Sequence, residues 1–253
     1  MAAAYVPSLE KGRTVKFCFL NFHDLVSGIC QRHSDVDANL FGRICQNIRS
    51  FQRPVAPLSL QTTFDDGWES HIREALPNLM HTQQTGIFFI ITSQVGQKGF
   101  MGWPDVQELS RCGMEIGSHS HTHPENLCRL STEKIREEFR ISKEILESKI
   151  GKSVTSFSAP HGYWNNRVFQ LSRESNYQRF FTSEPGYLSG AQAESPMGRF
   201  SAHRRVSLEE IDRILGGSVT LLVRLKIRYF LLGWLKKAVS EKTFQAIRGK
   251  LCR

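Results

Sequence analysis

Residues 86–92, Gly-Ile-Phe-Phe-Ile-Ile-Thr, are apolar on both faces of an extended chain. A strand of that kind has to be covered on both sides, which is the situation of a parallel sheet flanked by helices. Other β-prone runs stand at 14–22, 58–64, 114–121, 154–160, 179–185 and 204–208. Helical patterns lie between them. Residues 36–52 form one that buries Leu40, Ile44 and Ile48; 69–83 form a second, which Pro77 should end or kink. A third spans 103–113, with Pro104 at its start and Gly113 at its end. The fourth spans 131–151, from a Ser131 N-cap to Gly151. Strands alternating with helices predict a parallel α/β sheet or barrel, and in such folds sites gather at the carboxyl ends of the strands.

The polar clusters fall at those ends: His23-Asp24, Asp65-Asp66, His119 to His123, and Pro160-His161-Gly162. Adjacent aspartates on a regular strand would point to opposite faces, so a shared site needs the chain to turn, and Gly67 permits the turn. His119, His121 and His123 alternate along Gly-Ser-His-Ser-His-Thr-His-Pro. As a strand all three point one way; as a turn, 119 and 123 share a face. Two imidazoles and one carboxylate, with a position left open, make a catalytic divalent site, for which zinc is the leading candidate and nickel or cobalt are alternatives.

The chain has 253 residues, 40% of them hydrophobic and 23% charged, as in an ordinary globular protein. Its net charge of +9 is unevenly placed. Residues 204–253 carry 12 Lys/Arg and 4 Asp/Glu, whereas 1–203 carry 21 and 20. The excess therefore belongs to a tail, and a nucleic-acid partner is not expected from it, because phosphate attraction of this kind is unspecific. Leucines, Tyr229 and Trp234 alternate there with Arg224, Lys226, Arg228, Lys236 and Lys237. That pattern fits either a basic amphipathic helix lying on an anionic membrane or a terminal helix packed on the domain. The first residues lack an export-signal pattern and the six cysteines show no short pairing motif, so a cytoplasmic protein with reduced thiols is expected, in contact with the inner membrane face if the tail binds lipid.

Thr-Thr-Phe-Asp-Asp-Gly-Trp at 62–68, the 86–96 strand segment, the stretch from Gly99 to Pro124 and the segment from Leu130 to Asn165 resemble successive parts of the NodB-homology polysaccharide deacetylases, carbohydrate esterase family four. The resemblance covers roughly residues 15–206. It implies a distorted (β/α) barrel of about seven parallel strands over 14–207, and the change of residue pattern after 208 marks off a basic amphipathic helical tail over 208–253. It also implies metal-dependent removal of N-acetyl groups from an amino-sugar saccharide; contact of the tail with a membrane would suit a lipid-linked acceptor in surface-polysaccharide assembly. Transferred residue by residue, Asp65 becomes the general base and Asp66, His119 and His123 the metal ligands. His121 occupies the family's variable position.

Two departures stand out. The third motif usually reads Arg-Pro-Pro-Tyr-Gly, whereas 158–162 read Ser-Ala-Pro-His-Gly. The arginine that would orient the catalytic aspartate is thus missing at Ser158, and Arg204 is expected to replace it. Pro160, His161 and Gly162 remain to build the oxyanion side. The general acid, usually a His-Asp pair late in the chain, is expected at His23, in the permuted order of the biofilm poly-N-acetylglucosamine deacetylases, with Asp24 or another carboxylate holding its charge. Trp68, His161, Tyr163 and Trp164 are candidates for a sugar platform. The rival readings are a non-sugar amidase on the same fold and an inactive saccharide-binding or scaffold subunit.

Overall fold

The computed structural model describes residues 16–51, 58–189 and 195–238. Seven parallel strands form one curled sheet: β1 Lys16–Phe22, β4 Leu58–Phe64, β5 Gly86–Ile90, β6 Glu115–Ser118, β7 Ser156–Ser158, β8 Arg179–Phe181 and β10 Phe200–Ser201, in the order β10-β1-β4-β5-β6-β7-β8. Three described strands escape the sequence pattern. The pair β2 Leu25–Val26 and β3 Val36–Asp37 is too short for periodicity, and β9 Tyr187–Ser189 runs antiparallel along β1.

The curl closes through one segment. Met197 bridges Phe181 in parallel, Thr182 donates to the Met197 carbonyl at 2.8 Å, and Arg199 N–H donates to the Glu184 carbonyl at 2.9 Å. One residue later Phe200 and Ser201 pair with Leu20 and Asn21 of β1. Residues 197–201 thus bond to the last strand on one side and the first on the other. The strand expected at 204–208 is this one, a few residues earlier. Ser207 instead caps a helix by accepting from Glu210 N–H at 3.1 Å, which takes residues 208 onward out of the sheet.

Strand alternation divides the core. Cys18, Leu20 and Phe22 of β1 face the large cluster between sheet and helices, whereas Phe17 and Phe19 join Ile87, Phe89, Phe181 and Met197 in a small aromatic plug inside the curl. Asn21, next on the inward face, is where the plug gives way to polar groups.

Among the described residues, seven α-helices cover the outside: α1 Ala38–Phe51, α2 Leu76–His81, α3 Trp103–Arg111, α4 Thr132–Ile150, α5 Asn166–Glu174, α6 Leu208–Leu215 and α7 Val219–Ala238. Ile44 and Ile48 of α1 are buried as the pattern requires, with Phe41 taking the place expected of the half-buried Leu40. Ser131 accepts from Lys134 N–H to open α4, and Gly151 closes it at φ 67°. Pro77 does not break its helix. A π-helical turn over His71–Ala75 precedes it, and Pro77 sits in the first turn of α2, where no N–H is needed. Helix α6, at the start of the expected tail, buries Ile211, Ile214 and Leu215 in the main core. The described cysteines, Cys18, Cys30, Cys45, Cys112 and Cys128, are all free of disulfides. No described helix is long and apolar enough to cross a membrane.

Candidate active site

The chain leaves β4 through two left-handed residues, Asp66 at φ 77° and Gly67 at φ 87°. An aspartate tolerates that conformation and a glycine favours it, so the strand's alternation is broken and both carboxylates reach the same end of the curl.

Asp65 and Asp66 then part company. Asp65 is 3% exposed. It accepts a two-pronged bond from Arg199, Nη1 to Oδ1 and Nη2 to Oδ2, both 2.8 Å, and a third from Asn21 Nδ2 at 2.9 Å. Arg199 is fully buried and spends its other donors on the Thr182 carbonyl, Asn21 Oδ1 and Ser158 Oγ. Its guanidinium lies over Phe89 and Phe181, on top of the aromatic plug. Burial pushes the Asp65 carboxyl up, but the Arg199 charge and bonds, with His119 and His23 nearby, more than reverse this and hold it well below the usual carboxylate range.

Asp66 faces the histidines. Its Oδ1 is 3.4 Å from His119 Nε2 and 3.7 Å from His123 Nε2, while Oδ2 accepts from Trp68 Nε1 at 3.0 Å. One ligand atom from each of Asp66, His119 and His123 lies within 4.8 Å of the others. His119 Nδ1–H donates to the Ser158 carbonyl at 2.8 Å, which turns the Nε2 lone pair toward Asp66. Burial opposes protonation of His119, but Asp65 and Asp66 outweigh it and raise its pKa. Partial burial and the neighbouring His119 lower His123 to about 3. This donor set suits a divalent cation: one carboxylate, two imidazoles with Nε2 convergent, and an outer carbonyl fixing one tautomer. His121 turns away, with Nδ1 on Thr92 Oγ1 at 2.8 Å, in keeping with the variable position.

The arginine expected at 204 is a correction. Arg204 is exposed, and its backbone N–H donates to the His33 carbonyl; the guanidinium on Asp65 is that of Arg199. Residue 199 ends the segment that bonds to β8, just before the chain joins β1, so it points into the curl, whereas 204 lies beyond β10 on the rim. Ser158, where the family pattern has its arginine, accepts from this replacement. The inward alternation of Arg199 could have been read from Gly-Arg-Phe-Ser, had the last strand been placed there.

His23 follows β1, and its charge is close enough to lower both aspartates. Its Nδ1 is buried and, among the described residues, makes no hydrogen bond, while its carbonyl accepts from His71 Nε2–H at 2.7 Å. Asp24 does not serve His23: it accepts from Ser70 Oγ at 2.7 Å and pairs with Arg32. Trp68 is not an open platform either, since Phe100 stacks on its ring at 4.4 Å and Arg32 lies 4.3 Å from its centroid. Its work is to orient Asp66. Of the third-motif residues, Pro160 and Gly162 are buried. His161 is exposed at φ 56°, with its ring 4.5 Å from His123. Tyr163 is half-buried beside it, and Trp164 packs edge-on against Phe180. Gly162 has no alternative: at φ 73° its backbone disfavours a side chain, and a Cβ would stand 2.7 Å from Ser183.

Residues 53–180 match the family model for polysaccharide deacetylases, and the chain belongs to that family. It is 30% identical over 146 residues to YxkH of Bacillus subtilis, a protein named for the same family, covering 57% of this chain and 50% of that one. The chain thus spans about half the length of that curated relative. Among solved structures it is similar to the Streptococcus pyogenes deacetylase PplD in complex with acetate, with a TM-score of 0.72 at 19% identity, over 80% of this chain and 99% of that one. It is likewise similar to IcaB from Ammonifex degensii, with a TM-score of 0.67 at 19% identity, over 81% and 97%. At those identities the likeness concerns the fold.

Proposed function

We propose that the chain is a divalent-metal-dependent hydrolase that removes N-acetyl groups from an amino-sugar-containing saccharide in surface-polysaccharide assembly. The observation that carries this reading is the separation of the aspartates. Asp66 joins two imidazoles, while Asp65 stays outside that trio, ionised and held by Arg199 and Asn21. A pure binding site has no use for the second arrangement.

Asp66, His119 and His123 would hold the ion, with zinc first and nickel or cobalt as alternatives, and when bound it supplies Lewis acidity toward the acetyl carbonyl. Asp65 takes the proton of the attacking water, and its aim is set by Arg199. The backbone of Pro160-His161-Gly162 would line the oxyanion side. His23 gives a proton to the departing amine as the amide C–N bond breaks, so water and amide become acetate and a free amino sugar. The acetate in the PplD structure is the product class this reading requires.

Metal content and acetate release test it together. Wild type should bind near-stoichiometric divalent metal and release acetate from oligomers of N-acetylated amino sugars. His119→Ala/His123→Ala should lose both. Asp65→Asn should keep the metal and lose roughly 100-fold or more of the rate. A wild type that stays empty after dialysis against zinc, nickel and cobalt would sink the hydrolase reading; a loaded protein that releases no acetate from any such sugar would sink the substrate.

A further inference from the structure

Helix α7 carries apolar side chains on two opposite faces. Inward, Leu221 is buried, and Leu222 and Leu225 pack against the core. Outward stand Val219, Val223, Ile227, Phe230, Leu231 and Trp234, between 50% and 67% exposed. At about 100° per residue these six fall within one stripe roughly 120° wide. A lone exposed leucine means little, but a continuous apolar stripe on a surface helix marks something that covers it. The charges around it select the cover. Residues 219–238 include five Lys/Arg and no Asp/Glu, and 219–253 include nine and one. Arg224 is exposed at one margin of the stripe; Lys226, at the other, is partly exposed and pairs with Glu184 at 3.4 Å.

We propose that α7 is an interfacial helix that docks the protein on an anionic lipid bilayer. Hydrocarbon takes the stripe, anionic headgroups meet the basic margins, and Phe230 and Trp234 sit at the depth where aromatic rings favour the interface. A second copy meeting this face would bring the same cations together without an acidic partner on the helix. The helix also lies beside the working end of the sheet. Glu184, which anchors Lys226, follows Ser183, and Ser183 packs on Gly162 of the third motif. A bilayer against α7 therefore lies next to the mouth of the candidate active site. The docking inference concerns binding alone and stands whether or not the site is a deacetylase.

The test is co-sedimentation of the full chain with vesicles of phosphatidylcholine and of an equal mixture of phosphatidylcholine and phosphatidylglycerol. Wild type should bind the mixed vesicles at least about tenfold more tightly. Phe230→Ser/Trp234→Ser and, separately, Arg224→Glu should each lose about tenfold. Trp234→Phe, which keeps the ring, should bind like wild type but lose the blue shift of tryptophan emission that mixed vesicles induce. Equal binding to both vesicles, or undiminished binding by Phe230→Ser/Trp234→Ser or by Arg224→Glu, overturns the proposal. So does a wild-type dimer in light scattering that the double substitution turns into a monomer, because a second copy would then be the cover. If the double variant misfolds, Arg224→Glu and Trp234→Phe still decide.

Discussion

At the scale of single residues, Asp65 and Arg199 form a buried pair in which each side chain satisfies the other, and removing one partner leaves an uncompensated charge. Arg199→Met is expected to cost about 3–5 kcal/mol in urea unfolding and roughly 100-fold or more in turnover, because a buried Asp65 without its guanidinium takes up a proton and ceases to be a base. Arg204→Ala, on the exposed rim, should move stability by no more than about 0.5 kcal/mol. The reverse result would restore the assignment read from the sequence. The pair also has a pH signature. The Asp65 carboxyl is depressed in the fold, and an unfolded aspartate titrates near about 3.9. Its contribution to stability is therefore whole above about pH 4 and is lost as pH falls below that toward the folded value. Urea melts from neutral pH downward should show a steeper acid loss in wild type than in Asp65→Asn, whose starting stability is lower. The residue types of the candidate site were legible: two aspartates and a glycine after β4, with two histidines after β6, make a donor set that suits a divalent ion. The arginine was misplaced because a guanidinium can arrive from any strand, and the sequence near residue 200 offers two arginine-containing runs with β character.

At the scale of elements, the segment that carries two of the three candidate ligands is held by a neighbour. Ser120 and His123 both adopt left-handed backbone, at φ 66° and 56°, which is strained for residues with side chains. Glu138 of α4 holds the turn, accepting from the backbone N–H groups of His121 and Thr122 at 2.8 and 2.9 Å and from the Thr122 hydroxyl. Ser120 Oγ adds a bond from His123 N–H at 3.0 Å. Glu138→Gln keeps the shape but replaces one acceptor oxygen by an amide donor. Divalent-metal affinity by calorimetry should fall about tenfold or more while the unfolding transition stays cooperative. An unchanged affinity would show that the turn holds without the latch. The sequence showed α4 and its caps clearly, since a long amphipathic helix is a strong local signal. It did not show that one glutamate on that helix faces inward to a turn sixteen residues earlier, because helical periodicity marks a buried polar position only as an interruption.

At the scale of the whole molecule, the alternation of strands and helices was legible, and so was the curl, through the family resemblance. The closure was not. It depends on backbone bonds from five residues, 197–201, whose β signal is short and whose partners are the first strand, β1, and the segment after β8. The boundary at 208 was drawn where composition changes, yet packing continues past it: Ile211, Ile214 and Leu215 sit in the main core. A chain ended after Val206 should therefore fail to unfold cooperatively, since it loses four buried side chains, Ile211, Ile214, Leu215 and Leu221, worth about 2–5 kcal/mol each. One ended after Ser218 should keep a cooperative transition at reduced stability. If both truncations melt alike, α6 is an accessory after all. The separation of Asp65 from Arg199 by 134 positions has a temporal consequence. During synthesis the aspartate leaves the ribosome long before its guanidinium, so an early sheet of β1 to β7 must keep residue 65 wet or protonated. The step that closes the curl is then also the step that brings the cation to Asp65, and its rate should depend on acidity in a way that helix formation elsewhere in the chain does not.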